Sequence, residues 1–308
     1  METSVLLAVS GGIDSMYLAN RAPELYPGAR FAVAHCNFSL RGAESDGDEA
    51  FVRDWCAQRG WECLVERFDT QRYAAQHGIS IEMAARELRY TWFARLCRER
   101  GFAGVAVAHN ADDNAETLLL NLLRGTGSRG LRGMGDRDRI LRPLLETTRA
   151  EIREWMTAHG CAWREDSTNA DCTPKRNALR NEVFPVFERI NPSFVRTLGE
   201  DMRRFAQVDD IAEAWFRSVS DGLTNPEGAI RIDAVLALEH WEYALWRLVE
   251  PYSLSAPTFA QLTALLRRYA TQPRGTVTLE GKVFEGTGWK LKIVGSLIVP
   301  LPVRYSIT

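Results

Sequence analysis

The sequence lacks several features that would assign it to a definite class of protein. No apolar run approaches the roughly 18 residues that a membrane helix needs, so no membrane association is expected. The six cysteines include no C-x-x-C pair and no metal-like spacing with the five histidines. This pattern favours reduced thiols in a cytoplasmic protein. The N-terminus has no basic stretch before its short apolar run and is not typical of a secretion signal.

The sequence has no large excess of charge of either sign, with 38 lysines and arginines against 40 aspartates and glutamates. The formal net charge is -2, which argues against a globally basic surface for nucleic acid. Basic residues nevertheless cluster between residues 124 and 180, and local clustering is what contact with a polyanion backbone requires. With 308 residues, 45% of them hydrophobic, the chain is long enough for two domains that each have a core.

The first half alternates short β-like runs with amphipathic helices. The runs are residues 5–9, 31–34, 62–68 and 104–108. This alternation predicts a Rossmann-like parallel sheet with helices on both faces, and ligands at the carboxyl ends of its strands. Ser80 is expected to cap a long helix with one apolar face, composed of Ile81, Ala85, Leu88, Trp92 and Leu96.

The second half has a different character. Helical periodicity dominates from residue 193 to about 270, and residues 275–294 alternate with glycine turns like a β-hairpin. The sequence therefore predicts a first, α/β domain at 1–195. A smaller, mainly helical domain at 196–308 would end in the hairpin-like segment.

The loop Ser10-Gly-Gly-Ile-Asp-Ser15 follows the first strand. Its glycines allow the backbone to approach a ligand, and the N–H groups of the loop and the next helix can converge on a phosphate. Asp14 would repel phosphate unless a Mg²⁺ ion lies between them. The alternative is an ordinary strand-to-helix turn in which Asp or Ser caps the helix.

Polar residues also follow the fourth predicted strand. His109, Asp112, Asp113 and Glu116 exceed what capping a helix requires, although acidic residues at a helix start are common. The segment 123–133 then places three arginines among four glycines. Such a segment is either a solvated connection or a phosphate clamp.

These segments carry a family resemblance. The hexapeptide resembles the S-G-G-x-D-S signature of the N-type ATP pyrophosphatases. Other segments are similar, in order, to motifs of the bacterial tRNA(Ile)-lysidine synthase family: H-x-N-[FH]-x-L-R-G-x-E-S-D from His35, H-x-x-D-D-x-x-E-T from His109, then L-x-R-G-[ST]-G-x-x-G-L, R-P-L-L and R-N-x-L-R. The match covers about residues 4–192. Longer members carry a further small C-terminal domain, which this sequence is expected to lack.

The resemblance implies an activity. The family uses ATP to adenylate the C2 oxygen of the wobble cytidine in the CAU anticodon of tRNA(Ile), and free L-lysine then displaces AMP to form lysidine. ATP is thus the implied cosubstrate, Mg²⁺ the implied cofactor, and that tRNA and lysine the partners. The second domain is expected to contact tRNA. The oligomeric state stays open, a homodimer included, and the location is expected to be cytoplasmic.

The resemblance also assigns residues. The implied catalytic residues are Asp14, Arg89, Asp113, Glu116 and Arg180. ATP would be bound by Ser10, Gly11, Gly12, Ile13, Asp14, Ser15, His35 and Asn37, with Asp14 as the metal ligand. Lysine or tRNA would be bound by His109, Asp112, Arg124, Arg129 and Arg132.

Three other readings remain open. One is a tRNA thiolase with the same type of loop, although sulfur insertion usually needs a cysteine pair or an iron–sulfur site. Another is a non-catalytic module that binds nucleotide or RNA. The third is a small-molecule amidotransferase or synthetase, which would not need the basic cluster at 124–180.

Overall fold

The computed structural model describes residues 3–165, 174–273 and 275–303. The chain divides into two compact units, Met1–Ala206 and Gln207–Thr308. The boundary expected from the sequence, between residues 195 and 196, lies near the start of the helix Phe194–Val219, which runs across this division.

The first unit is built on a parallel sheet. Its strands pair in the order β3-β2-β1-β4-β5. Their bounds are β1 Ser4–Ala8, β2 Arg30–Asn37, β3 Glu62–Arg67, β4 Gly104–Ala106 and β5 Ile140–Leu141. The parallel sheet and its first four strands confirm the prediction. The fifth strand was not predicted, because two residues are too few to show a periodicity.

Helices connect the strands. Before the boundary helix they are α1 Ile13–Leu25, α2 Ala43–Arg59, α3 Thr70–His77, α4 Ile81–Glu99, α5 Ala111–Arg124, α6 Ser128–Leu131, α7 Arg149–Ala158, α8 Pro174–Ala178 and α9 Phe184–Ile190, with a π-helical turn at Leu179–Val183. The boundary helix Phe194–Val219 is α10.

Both faces of the sheet are covered. Val5 and Leu7 of β1 belong to an apolar cluster with residues of α1, α2 and α7. Leu6 points to the opposite face and belongs to a cluster with residues of α4. Because successive side chains on a strand point to opposite faces, β1 is buried on both sides. Ligands can therefore reach the sheet only at the strand ends.

The start of α4 agrees with the sequence, and its apolar face agrees in part. Ser80 caps the helix, since its hydroxyl accepts a hydrogen bond from the Met83 N–H at 3.2 Å. The buried residues are Ala84, Trp92, Phe93, Leu96 and Cys97. Ile81 was expected on this face but is 41% exposed. The helix is therefore buried along its second half, where it packs on the sheet.

The second unit combines helices with a small antiparallel sheet. Its helices after α10 are α11 Ile232–Leu236, α12 Trp241–Val249 and α13 Ala256–Thr271, with a 3₁₀ turn at Glu250–Tyr252. Its strands, β6 Ile230–Arg231, β7 Val283–Gly286, β8 Trp289–Val294 and β9 Leu297–Pro302, pair in the order β6-β9-β8-β7. The hairpin of β7 and β8 matches the hairpin-like segment of the sequence.

No helix in the described part of the chain combines the length and apolar character needed to cross a membrane.

Replacement of Gly104 by alanine tests the close pairing of β4 and β5. A Cβ atom at Gly104 would lie 2.7 Å from the Arg139 carbonyl oxygen and 3.2 Å from Leu141 Cγ. We expect Gly104→Ala to lower the free energy of unfolding by about 1–3 kcal/mol, measured by urea denaturation. Gly135→Ala, which meets nothing within 4 Å and lies outside the helices and strands, is the control. Unchanged stability of Gly104→Ala would contradict this pairing.

Candidate active site

The loop between β1 and α1 folds around two serine hydroxyl groups. Ser15 Oγ accepts hydrogen bonds from the N–H groups of Ser10 and Gly11, at 3.1 and 3.2 Å, and lies 3.1 Å from Ser10 Oγ. Gly11 has a φ of +98°, a backbone conformation that favours glycine. Gly12 is the N-cap of α1 and offers no side-chain acceptor. The N–H groups of the first turn are therefore suited to an anion.

Asp14 lies in that first turn and is half-buried. Its Oδ1 atom is buried, and within the described ranges no donor reaches it at normal hydrogen-bond geometry. Burial raises the pKa of Asp14; the Arg149 guanidinium opposes this rise, the Asp113 carboxylate adds to it, and the nearby Asn110 side chain lowers the pKa. A buried carboxylate oxygen without a donor is unfavourable, and a bound cation would relieve that cost.

A cavity of about 320 Å³ lies at the carboxyl ends of β1, β2 and β4, beside α4. Its walls include Ser10 and Ser15 from the loop, Cys36 and Phe38 from the end of β2, Arg89 and Tyr90 from α4, and His109 beyond β4. The Arg89 guanidinium lies over the Phe38 ring, 5.1 Å from its centroid. Parallel α/β sheets bind ligands at this position, and the volume is within the range of small-molecule pockets.

His35 and Asn37 do not line this cavity, although they were expected beside ATP. Both are almost fully buried. The His35 Nδ1 atom lies 2.9 Å from the Val9 carbonyl oxygen, and Asn37 donates to Glu49 at 3.0 Å. Side chains alternate along a strand, so Cys36 and Phe38 face the cavity while His35 and Asn37 face the other side. His35 and Asn37 therefore make their hydrogen bonds on the side of β2 that faces away from the cavity.

The start of α5 is fixed by a capping box. The Asn110 side chain accepts from the Asp113 N–H at 3.0 Å, and the Asp113 carboxylate accepts from the Asn110 N–H at 3.2 Å. Asp112 has a different function: its carboxylate accepts from the Arg149 N–H at 2.8 Å, at the first residue of α7. Asp112 therefore joins two helix starts.

Two arginines neutralise the acidic pair on α5. Glu116 has no solvent exposure and receives two hydrogen bonds from Arg180, through Nε to Oε1 and at 3.0 Å to Oε2. Asp113 Oδ1 lies 3.1 Å from both Arg149 and Arg180. Burial raises the pKa of Glu116, and the hydrogen bonds and positive charge of Arg180 oppose this rise. The structure thus brings together Asp14, Asp113, Glu116 and Arg180.

His109 connects the cavity to this cluster. Its Nδ1 atom accepts a hydrogen bond from Arg142 Nε at 3.3 Å. Burial lowers the pKa of His109 to about 4, the nearby Asp113 raises it, and Arg142 lowers it further. His109 is therefore a neutral wall residue at neutral pH.

Residues 125–135, here called the Gly/Arg loop, leave the C-terminal end of α5 and return along the helix as far as Asn114, whose Oδ1 accepts from the Met134 N–H. Arg124 ends α5, Arg129 lies in α6 and Arg132 follows it; all three side chains are exposed. Arg124 therefore lies at the far end of α5 from His109 and Asp112. Arg132 instead lines a second cavity with Ala111 and Asn114, near the start of that helix.

Sequence reasoning missed three residues of the site. Asn110 caps α5 beside Asp14, Arg149 contacts Asp113, and Phe38 packs beneath Arg89 in the cavity. A signal existed for Arg149, because Thr148 and Glu151 form a capping box that predicts a helix start beside it. Its contact with Asp113 joins residues 36 apart in sequence, which no local pattern indicates.

Comparison with known proteins identifies the family. Residues 1–187 match the PP-loop domain family ATP_bind_3. The tRNA(Ile)-lysidine synthase of Chlorobaculum tepidum is 42% identical over 249 residues, which cover 78% of this chain and 74% of that protein. The chain belongs to the tRNA(Ile)-lysidine synthase family of PP-loop proteins. The resemblance stated from the motifs is confirmed.

Two further comparisons define the extent of this likeness. The tRNA(Ile)-lysidine synthase of Porphyromonas gingivalis strain W83 is 46% identical over 221 residues, covering 70% of this chain and 47% of that protein. The chain thus spans about half the length of this relative. The U34-tRNA thiolase NcsA from Methanococcus maripaludis, solved with its [4Fe-4S] cluster, has a TM-score of 0.57 and 19% identity, covering 67% of this chain and 73% of that one. This likeness shows the fold.

The lowered pKa of His109 predicts a pH dependence of stability. Between its ordinary value of 6.5 and about 4, the unfolded chain binds a proton at this position and the folded chain does not. The free energy of unfolding should therefore fall as the pH decreases through this window. His109→Asn should lose less stability over the same window in urea titrations. His77→Asn, at an exposed position, is the control. Parallel losses in wild type and His109→Asn would contradict the prediction.

Proposed function

We propose that the chain ligates free lysine to C2 of the wobble cytidine in the CAU anticodon of tRNA(Ile), with ATP as the activating substrate. One observation supports this most. Three carboxylates, Asp14, Asp113 and Glu116, interact with two arginines, and Asp113 also interacts with His109, a wall residue of the cavity at the strand ends, in a chain of this family. Such a site can bind a nucleotide and a cationic substrate side by side.

The first step is adenylation of the cytidine. The C2 oxygen attacks the α-phosphorus of ATP, the bond to the β-phosphate oxygen breaks, and pyrophosphate leaves. In this proposal the adenosine part of ATP lies in the cavity beside Phe38 and Arg89. The first turn of α1 and the hydroxyl groups of Ser10 and Ser15 hold the leaving pyrophosphate.

Asp14 fits the expected magnesium ion. Within the described residues no group of three or more His, Cys, Asp or Glu side chains could hold a metal ion. Mg²⁺ commonly binds one or two carboxylates together with substrate phosphates, and the unpartnered Oδ1 of Asp14 is suited to that arrangement. When bound, the ion would neutralise negative charge on the pyrophosphate.

The second step is attack by lysine. Its ε-amine attacks C2, AMP departs with the oxygen, and the amine loses a proton. Because this amine has an ordinary pKa of about 10.4, it arrives as an ammonium and needs a carboxylate to receive its proton. Asp113 is the more accessible of the pair and is assigned to the ammonium. Glu116, whose pKa is raised by burial, lies behind Asp113 and is assigned as the group that receives the proton.

The substrates define the setting of the proposed reaction. ATP, free lysine and tRNA(Ile) are all available in the cytoplasm, where we place the activity. The exposed arginines of the Gly/Arg loop are assigned to the tRNA backbone, which needs cations but no base-specific geometry.

The thiolase reading has weaker support. The likeness to the U34-tRNA thiolase is structural, at 19% identity, whereas the lysidine synthase relatives are 42% and 46% identical. A non-catalytic module is also less well supported. The unpartnered Asp14 oxygen is costly to bury unless a ligand uses it.

Incorporation of labelled lysine tests the proposal directly. The chain is incubated with ATP, Mg²⁺ and tRNA(Ile) carrying a CAU anticodon, and elongator tRNA(Met), which shares that anticodon, is the control. Label on the isoleucine tRNA alone is expected. Pyrophosphate release without label would mean that the loop is active on another acceptor. Neither product with any combination of substrates would support the non-catalytic reading.

Asp14→Asn tests the role of Asp14 in pyrophosphate release separately from its effect on the stability of the fold. We expect pyrophosphate release to fall by about a hundredfold or more, because a charged ligand is lost where negative charge develops. The raised pKa of Asp14 means that its ionised form opposes folding at neutral pH. The variant should therefore be at least as stable as wild type at pH 7, an advantage that disappears below the ordinary carboxyl pKa of 3.8. Turnover close to wild type would rule out the assigned metal role.

Glu116→Gln should impair the use of lysine more than the binding of ATP. The amide cannot accept the proton of the amine, and it leaves Arg180 with less negative charge. We expect a rise in the KM for lysine and a fall in kcat, with little change in ATP affinity measured by calorimetry. Glu99→Gln, on the exposed end of α4, is the control. Equal losses of lysine use and ATP binding would count against this assignment.

A further inference from the structure

The Gly/Arg loop is attached to α5 through two asparagines. Asn114 Oδ1 accepts a hydrogen bond from the Met134 N–H at 2.7 Å, and Asn121 Nδ2 donates to the Gly130 carbonyl oxygen at 3.0 Å. The two asparagines are seven residues apart, about two helical turns, and lie on the same face of α5. They form a ladder that binds the loop at two points along the helix.

Glycine at position 133 makes the contact between Asn114 and the Met134 N–H possible. Gly133 has a φ of +70°, and a Cβ atom there would lie 2.5 Å from Asn114 Oδ1 and would also collide with Met202 Sδ. A Cβ atom at Gly135, two residues later, would meet no other atom within 4 Å. The close approach is therefore a specific property of Gly133 and not of the whole loop.

The contact at Asn121 is less restrictive toward α5. A Cβ atom at Gly130 would collide with the Thr126 side chain of the same loop, but would lie at an ordinary contact distance of 3.4 Å from Asn121 Nδ2. Asn114 is almost fully buried, at 6% exposure. The attachment at Asn114 thus depends on a backbone that approaches α5 closely, and a buried amide that loses its partner is costly.

We infer that Asn114 and Asn121 are positioning residues that hold Arg129 and Arg132 of the loop beside Arg124 of α5, so that the three form a preformed surface for the phosphates of the RNA substrate. This inference rests on the proposed function. Glycine-rich segments lose much conformational entropy when they are ordered, and a loop ordered in advance avoids that cost on binding. Asn114 also lies between Asp113 and Glu116 on α5, so the ladder fixes the arginines relative to the acidic pair.

Binding of tRNA at several salt concentrations tests the inference. Asn114→Ala and Asn121→Ala should each weaken tRNA binding by roughly three- to tenfold, because the loop must then be ordered on binding. The slope of log K against log salt should stay unchanged, because the same phosphates are bound once the complex forms. ATP affinity should also stay unchanged.

The arginine variants give the opposite pattern. Arg124→Ala and Arg129→Ala each remove a cation from the phosphate surface and should flatten the salt slope by ~0.7–0.9 for each phosphate that is no longer neutralised. A flattened slope in the asparagine variants would show that they bind RNA themselves. Unchanged tRNA affinity, together with only a lower melting temperature, would show that the ladder is merely structural. Either result would overturn the inference.

Limited trypsin digestion tests the ladder without RNA. Trypsin cleaves after arginine, so cleavage at residues 124, 129 and 132 reports how often the loop leaves α5. Asn114→Ala and Gly133→Ala should be cleaved faster there than wild type, and Gly135→Ala should behave like wild type. Equal cleavage of all variants would overturn the ladder. Failure of the wild-type chain to bind tRNA would overturn the proposed function and the assigned RNA surface, while digestion would still decide whether the ladder holds the loop.

Discussion

The buried pairing of Glu116 with Arg180 is the interaction on which the rest of the site depends. Glu116 has no exposure to water, and an ionised carboxylate in that position is tolerated only if a counter-charge and hydrogen bonds replace the water. Arg180 provides both, from a residue 64 positions later in the sequence. Removing either partner would leave a buried charge, so the pair fixes the π-helical turn of Arg180 against α5. The position of Asp113, which contacts the same arginine, follows from this pair.

The arginines neutralise the three carboxylates to different extents. Asp113 and Glu116 are neutralised by direct contacts, whereas Asp14 keeps a buried oxygen without a partner. Burial raises the pKa of both Asp14 and Glu116, and Asp113 adds to each rise. A cation that enters this site is therefore stabilised most strongly by the carboxylate of Asp14. An ammonium must instead share Asp113 with the guanidinium groups, which requires those groups to shift. The proposed magnesium role and the proposed lysine role are thus separated by the local distribution of positive charge.

The sequence predicted the parts of this site that local patterns determine. Apolar runs located β1, β2 and β4 along the chain, although the run expected at 31–34 stops before the end of β2 at Asn37, and the glycines located the loop between β1 and α1. The sequence did not determine which side of β2 faces the cavity, because a strand buried on both faces has no polar side to reveal its orientation. The family resemblance placed His35 beside ATP, whereas Phe38 lines the cavity and His35 lies on the other side of β2. The partners of Asp113 could not be predicted either, since Arg149 and Arg180 reach it across 36 and 67 residues. Only the folded sheet brings those segments together.

Helix α5 carries the two functions of the proposed site at its two ends. Acidic residues occupy its first turn and Arg124 its last, so both charges agree with the helix dipole and neither opposes the fold. With 14 residues the helix is about 20 Å long. An RNA phosphate held beside Arg124 would therefore lie several nucleotides away from a base that reacts beside Asp113. Binding energy gained at the loop can act on the reacting base only if the loop and the helix move as one body, and the hydrogen bonds of Asn114 and Asn121 provide that rigidity.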